Sequence, residues 1–151
     1  MQGVKQVTRG GKESCLTVRL GSTLYAIPAG RVQRVIRALA IHPVPQAPSE
    51  VLGLAAVGSE PVLVLDLASL AGHGTFNPGE HPLIVVVRAG SGEHSRTVGL
   101  AVDDALQLVT FEWGGGDPGT TDSIVQAMQA GERDIYRVNL ANIVFAEPAG
   151  A

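Results

Sequence analysis

The chain has 151 residues, of which 45% are hydrophobic and 17% charged, and its formal net charge is −3. This composition is typical of a globular domain, excludes a disordered chain, and gives no electrostatic basis for binding nucleic acid. The longest apolar runs have four or five residues, whereas a membrane span needs roughly 20. We therefore expect a soluble protein without direct membrane insertion. The single cysteine, Cys15, excludes an intrachain disulfide and fits a cytoplasmic location.

Glycine and proline divide the sequence at short intervals, and runs rich in β-branched residues lie between them. This pattern is typical of an all-β barrel or sandwich. A glycine turn at Gly21 closes the first hairpin, and a short helical turn over 68–71 ends at Gly72. In chain order, the other predicted elements are strands over 15–20, 24–27, 51–57, 62–67, 83–88, 97–102, 106–111, 124–128 and 135–140, and a flexible stretch over 114–121.

The segment 31–40 permits two interpretations. Its apolar residues Val32, Val35, Ile36 and Leu39 recur at the spacing of an amphipathic helix. The segment also follows Gly30, is rich in β-branched residues and stops before a proline-rich stretch. The pattern alone therefore favours a helix, but a helical turn that leads into a strand is also consistent with the residues.

The motifs of common enzymes are missing from the sequence. There is no G-x-S-x-G motif, and the glycine-rich stretch 114–119 lacks the lysine of a phosphate-binding loop. The histidines have no standard metal-ligand spacing, and Asp103 and Asp104 are sequence neighbours whose side chains would point to opposite faces of a strand. We expect no catalytic residue, no cofactor and no metal site, and thus a protein that is not an enzyme. Asp66, at the end of an apolar strand, is expected to cap the following turn.

Several segments follow one another in a characteristic order: LGSTLYAIP at 20–28, Val32-Gln33, PVPQAP at 43–48, VLG at 51–53, PVLVLDL at 61–67, VGLAVD at 98–103 and IYRVNL at 135–140. Their order and spacing resemble the CheW family of bacterial chemosensory adaptors, over about residues 16–145. The resemblance implies structural roles for Gly21, Tyr25, Gly53, Asp66 and Gly99.

The resemblance implies two interlocked five-stranded β-barrels of the Src-homology type that share an apolar core, with one or two short helical turns. The domain would span residues 15–146, after a flexible segment 1–14 and before a tail 147–151. It also implies a solution for the ambiguous segment, which would form a helical turn over 30–33 and then a strand over 35–37.

The function implied by the resemblance is to tether the regulatory domain of a CheA-type histidine kinase to the cytoplasmic tip of methyl-accepting chemoreceptors. Binding would rely on strand edges and apolar grooves. The residues expected to contact these partners are Val32, Gln33, Arg34, Ile36, Val51, Leu54, Val57, Gly58 and Ser59.

Two departures from the family pattern bear on these contacts. Gly58 and Ser59 stand where the family usually has an arginine-glycine pair, and Arg34 stands where glutamate is common. A tight turn would explain the first pair, and a solvated charge would explain Arg34. If these three residues instead bind a partner, the surface of that partner must differ from the one that the family usually binds. An alternative function is therefore a scaffold that binds a response regulator or another signalling protein, and a small-ligand barrel or enzyme is a third.

Overall fold

The computed structural model describes residues 12–38, 40–113, 123–131 and 133–143. A short α-helix, Leu67–Leu70, and three-residue 3-10 turns at Ala29–Arg31, Gly92–His94 and Leu140–Asn142 accompany the strands. The strands are β1 (Lys12–Leu20), β2 (Thr23–Pro28), β3 (Val32–Arg37), β4 (Val51–Val57), β5 (Glu60–Leu65), β6 (Leu83–Ala89), β7 (Arg96–Val102), β8 (Asp104–Glu112), β9 (Val125–Ala130) and β10 (Arg133–Val138). The all-β class is thus confirmed.

The strands form two five-stranded sheets that the chain enters in turn. The first sheet has the order β8-β1-β2-β10-β9, and the second has the order β3-β6-β7-β5-β4. The chain starts in the first sheet, builds the whole of the second with β3 to β7, and then returns, so the two units are interlocked. Neighbouring strands are antiparallel except for the parallel pairs β2–β10 and β5–β7.

Each sheet is open in the part of the chain that the structure describes, whereas the resemblance implies barrels. The outer strands are β8 and β9 in the first sheet and β3 and β4 in the second. The second sheet curls partly on itself, because the segment after β3 returns to β4. There, His42 N donates to Leu54 O at 2.8 Å and Leu54 N donates to His42 O at 2.9 Å.

One apolar cluster, the shared core, contains buried residues of both sheets, among them Val18 and Tyr25 from the first and Val85 and Leu100 from the second. Two smaller clusters flank it. The first-sheet cluster consists of Cys15, Ala26, Phe111, Trp113, Met128 and Ile135. The second-sheet cluster consists of Ala38, Ala55, Val64, Ile84, Val86 and Ala101. Since the shared core needs strands from both ends of the chain, neither sheet can complete its packing alone.

The ambiguous segment is a 3-10 turn followed by β3, and the strand begins three residues earlier than expected. The helical spacing misleads because both faces of β3 meet apolar residues: Val32 packs against the shared core and Ile36 against the second-sheet cluster. A β-bulge between Val32 and Arg34 also breaks the two-residue period. Leu39 lies outside the described residues.

The chain ends and one loop also lie outside the described residues. This applies to most of the predicted flexible segment 1–14, to the stretch 114–121 and to the tail 147–151. The structure does describe the last three residues of segment 1–14, because β1 begins at Lys12.

Asp66 links the short helix to the loop that follows it. Its buried carboxylate accepts hydrogen bonds from Ser69 N at 3.2 Å and Phe76 N at 2.9 Å. Replacing Asp66 with alanine removes the helix cap and leaves a loop N–H without its acceptor. We expect Asp66→Ala to lower the free energy of unfolding by about 1–3 kcal/mol.

Urea denaturation followed by circular dichroism measures this effect. The exposed Asp134, which accepts a bond from Gln129 at 3.1 Å, provides the control. Asp134→Ala should change stability by no more than about 0.5 kcal/mol. Equal losses for the two variants would show that the Asp66 cap contributes nothing specific.

Candidate functional site

The predicted partner-binding residues lie on the two outer strands of the second sheet. Val32, Gln33, Arg34 and Ile36 belong to β3, whereas the remaining five belong to β4 or to the two-residue turn after it. Within the sheet β6, β7 and β5 separate the two strands, but the segment after β3 reaches β4 where His42 pairs with Leu54, so the candidate site consists of two outer strands that this segment connects.

Four of the predicted residues are half-buried and point into the protein. Val32 and Val51 pack against the shared core, and Ile36 and Val57 pack against the second-sheet cluster. Their contribution to the fold is therefore at least as direct as any contribution to a partner.

The other five predicted residues are exposed. Gln33 reaches across β6, and its Nε2 lies 3.4 Å from Thr97 Oγ1 on β7. Leu54 keeps 38% of its surface exposed, which is high for a leucine in a strand. Gly58 and Ser59 form the tight turn between β4 and β5, in which Val57 pairs with Glu60. Arg34, with no polar partner among the described residues, is the most available of the five.

The glycines at structural positions serve turns and close packing. Gly21 donates its N–H to Asp103 Oδ2 at 2.6 Å, which ties the first hairpin to the start of β8. A Cβ atom at Gly99 would lie 2.6 Å from Ile84 Cγ2, and one at Gly53 would lie 2.3 Å from His42 O. Neighbouring chain segments therefore occupy the space that a side chain would need at both positions.

Tyr25 joins the first sheet to the loop after the short helix. The residue is fully buried, and its hydroxyl lies 2.7 Å from His73 Nδ1. The His73 ring packs in turn against Tyr136, with ring centroids 4.5 Å apart. Burial, together with the nearby Tyr136 and Asp66, raises the pKa of Tyr25 to about 12. The phenol therefore stays neutral, and we assign it a structural role.

A buried polar cluster in the first sheet was not predicted from the sequence. The Glu13 carboxylate accepts bonds from Trp113 Nε1 at 2.9 Å and from Arg137 Nε and Nη2, each at 2.7 Å. Arg137 Nη1 also donates to Asn139 Oδ1. Burial alone would raise the pKa of Glu13, but the bonds from Arg137 and Trp113 outweigh it, so the pKa lies below its ordinary value.

Cys15 lies beside this cluster. Its thiol is buried, and the sulfur lies 3.7 Å from Glu13 Oε1. Burial and the negative charge of Glu13 raise the pKa of the Cys15 thiol well above its ordinary value. The thiolate, which is the nucleophilic form, is therefore disfavoured at this position.

A groove of about 830 Å³ lies next to the cluster, between the start of β1, the turn before β3 and the end of β10. Glu13 and Arg137 line it, but they are bonded to each other. Asp103 and Asp104 lie elsewhere and are both paired with Arg19. Within the described ranges, no group of three or more His, Cys, Asp or Glu could hold a metal ion, and no helix is long and apolar enough to cross a membrane.

These features define a class of protein: an interlocked two-sheet β domain whose candidate site consists of strand edges. A family model described as "CheW-like domain" matches residues 14–134, and the chain belongs to this family. The resemblance inferred from the sequence is thus confirmed.

A solved structure shares the fold. The crystal structure of the scaffolding protein TtCheW from Thermoanaerobacter tengcongensis superposes with a TM-score of 0.67 at 19% sequence identity, over 85% of this chain and 84% of that chain. At this identity the likeness concerns the fold alone. A search of curated proteins gave no match.

Proposed function

We propose that this chain is a non-enzymatic cytoplasmic adaptor that couples a CheA-type histidine kinase to methyl-accepting chemoreceptors. The support comes first from membership of the CheW-like domain family. The solved structure with the same fold is described as a scaffolding protein. An adaptor needs no catalytic group, and the polar side chains of the buried cluster are engaged with one another.

The observation that carries the proposal is the position of the candidate residues on two different strands of one sheet, β3 and β4, with β6, β7 and β5 between them. A coupling protein must hold two partners at the same time, and two such strands can offer each partner its own surface. Each edge has an exposed apolar residue, Val35 on β3 and Leu54 on β4, with exposed fractions of 40% and 38%. Apolar surface that a partner covers favours binding, because it is removed from water.

Calorimetric titration tests the proposal. The chain is titrated with the regulatory domain of the kinase encoded beside it, and separately with a receptor-tip fragment. Both should bind with micromolar or tighter affinity. Leu54→Asp should weaken the binding of at least one of the two partners by roughly tenfold or more, because the substitution buries a charge at the contact.

Leu108→Asp provides the control, since Leu108 is a still more exposed leucine on β8 in the first sheet. We expect this variant to bind both partners like the parent protein. Failure of the parent protein to bind either partner, with all components folded, would refute the proposed function.

Arg34, Gly58 and Ser59 favour a second candidate, a scaffold for a response regulator, because they replace residues that are common in the family. The same titration with the response regulator of the pathway distinguishes the two functions. Binding of the regulator without binding of the kinase would favour the second candidate.

A further inference from the structure

Arginines are concentrated at one edge of the second sheet. The chain has 11 Lys and Arg residues, and the next one after Arg37 is Arg88. The arginine edge, as we name it, consists of Arg31, Arg34 and Arg37 in and before β3 and Arg88 in the neighbouring β6. Four of the 11 basic residues of a protein with net charge −3 thus lie on or beside one strand.

Internal ion pairs do not account for this concentration. Arg31 donates to Gly90 O at 2.9 Å, Arg37 donates to His81 O at 2.8 Å, and Arg88 donates to Ser95 Oγ at 3.0 Å. Arg34 has no polar partner among the described residues. In the ranges that the structure describes, none of these four forms an ion pair with a carboxylate. Since a guanidinium has five N–H donors, most of their donors face solvent.

Other basic residues in the described part of the chain differ in this respect. Lys12 pairs with Glu112, Arg19 with Asp103 and Asp104, and Arg137 with Glu13. These basic residues thus have carboxylates beside them, whereas the described residues give the arginine edge none.

The backbone of β3 is also open on its outer side. β3 is the last strand of its sheet and pairs only with β6 among the described strands. Antiparallel pairing with a second copy of β3 would bring Arg34 and Arg37 of the two copies together, and like charges on paired strands are destabilising. The arginine edge therefore disfavours self-association and favours a partner of opposite charge.

An open groove of about 400 Å³ lies at the start of this edge. It is lined by Arg31, Gln33, Arg88 and the loop between β6 and β7. Two guanidinium groups thus converge on one concave surface. Guanidinium groups form paired hydrogen bonds with carboxylates, so an Asp or Glu side chain of a partner suits this groove.

We propose that the arginine edge binds a partner protein through a surface rich in Asp and Glu that lies along β3. This inference rests on the proposed adaptor function and specifies the chemistry of the partner. Val35, which is exposed on β3 and shares a face of the strand with Arg37, would contact an apolar residue beside the acidic ones.

Carbodiimide crosslinking tests the proposal, since the reagent joins a lysine amine to a carboxylate only at direct contact. The Arg34→Lys variant is mixed with the kinase regulatory domain or the receptor-tip fragment, whichever binds, and the products are mapped by mass spectrometry. We expect a link from residue 34 to an Asp or Glu of the partner. Arg133→Lys, at an exposed position on β10 in the first sheet, should give no such link.

Affinity measurements complete the test. Arg34→Glu should weaken binding about tenfold at low salt, with a smaller difference at high salt because charges on the surface are screened. Arg133→Glu should leave the affinity unchanged. A charge reversal at the crosslinked carboxylate of the partner should restore binding to Arg34→Glu.

Four results would overturn the inference. If a partner binds equally well to the parent protein and to Arg34→Glu, the acidic partner surface is refuted and the adaptor function stands. If Arg34→Glu only causes self-association, the arginines protect the strand edge and do not bind a partner. If single-stranded DNA binds with the same dependence on Arg34, the edge recognises polyanions in general. If the parent protein binds neither the kinase domain nor the receptor fragment, both the inference and the proposed function are refuted.

Discussion

The Glu13→Gln variant should be less stable than the parent protein by about 3–5 kcal/mol at pH 7, because it breaks a buried ion pair on one side only. The side chains of Glu13 and Arg137 are only 8% and 11% exposed. Glutamine has nearly the same shape as glutamate and can still accept a bond from Trp113, so no cavity forms. The guanidinium of Arg137, however, stays buried without a counter-charge. Urea denaturation at pH 7 measures the loss.

The exposed ion pair of Lys12, the residue before Glu13, supplies the matched control. Lys12 and Glu112 lie 3.5 Å apart, with exposed fractions of 69% and 71%. Glu112→Gln should therefore cost no more than about 1 kcal/mol. The double variant with Glu13→Gln and Arg137→Met should recover much of the loss, because it removes both buried charges. A loss of under 1 kcal/mol in Glu13→Gln would show that the buried pair does not stabilise the fold.

The effect of Glu13 on stability should depend on pH. Since folding lowers the pKa of Glu13, the folded state favours the ionised form, and this contribution is present in full above the ordinary value of 4.5. As the pH falls below that value, the unfolded chain takes up the proton first and the contribution is lost. The stability difference between parent and Glu13→Gln should therefore shrink as the pH falls from 4.5 through the lowered pKa of Glu13 in the folded protein. A difference that grows over this range would contradict the assignment.

Gly53→Ala is the second change with a large expected effect. Gly53 has φ +147°, a conformation that residues with a side chain rarely adopt, and its added Cβ would lie 2.3 Å from the backbone oxygen of His42. The backbone strain and the overlap together should cost roughly 3 kcal/mol or more. The variant should unfold at lower urea concentration and lose the hydrogen bonds between His42 and Leu54.

Two other glycines separate the causes of this effect. Gly58 has φ +63° with open space around it, so Gly58→Ala should show backbone strain alone, about 1–2 kcal/mol. Gly79 has open space and no unusual φ, and Gly79→Ala should be neutral within about 1 kcal/mol. If Gly53→Ala were as stable as Gly79→Ala, the close approach of His42 to β4 would be refuted.

The strands of this protein could be predicted largely from local sequence. Glycine turns and β-branched runs mark most of the strands, and the predicted strand ends differ from the observed ones by a few residues. The segment around β3 could not be settled in the same way, because apolar residues on both of its faces imitate helical spacing. The family resemblance supplied the helical turn and the strand that the pattern left open.

The interlocked arrangement and the buried polar cluster depend on contacts between distant parts of the chain. Glu13 and Arg137 are far apart in the sequence, and nothing local to either residue predicts that they meet. A charged residue near the start of a strand is usually exposed, so Glu13 gives no signal of burial. Trp113, the only tryptophan, could have been suspected of needing a buried acceptor for its indole N–H.

The candidate site was predictable in part. The residues on β3 and β4 came from the family resemblance, but their separation on two edges depends on the strand order of the second sheet. The concentration of arginines is also hidden in the sequence, because Arg31 and Arg88 are brought together only by the pairing of β3 with β6.

Co-sedimentation tests the central claim, coupling, most directly. Receptor cytoplasmic fragments are attached to vesicles, the kinase is added with or without this chain, and the kinase in the pellet is measured. We predict that the kinase sediments with the vesicles when the chain is present and that Leu54→Asp reduces this amount. The same amount of kinase in the pellet with and without the chain would contradict the adaptor function.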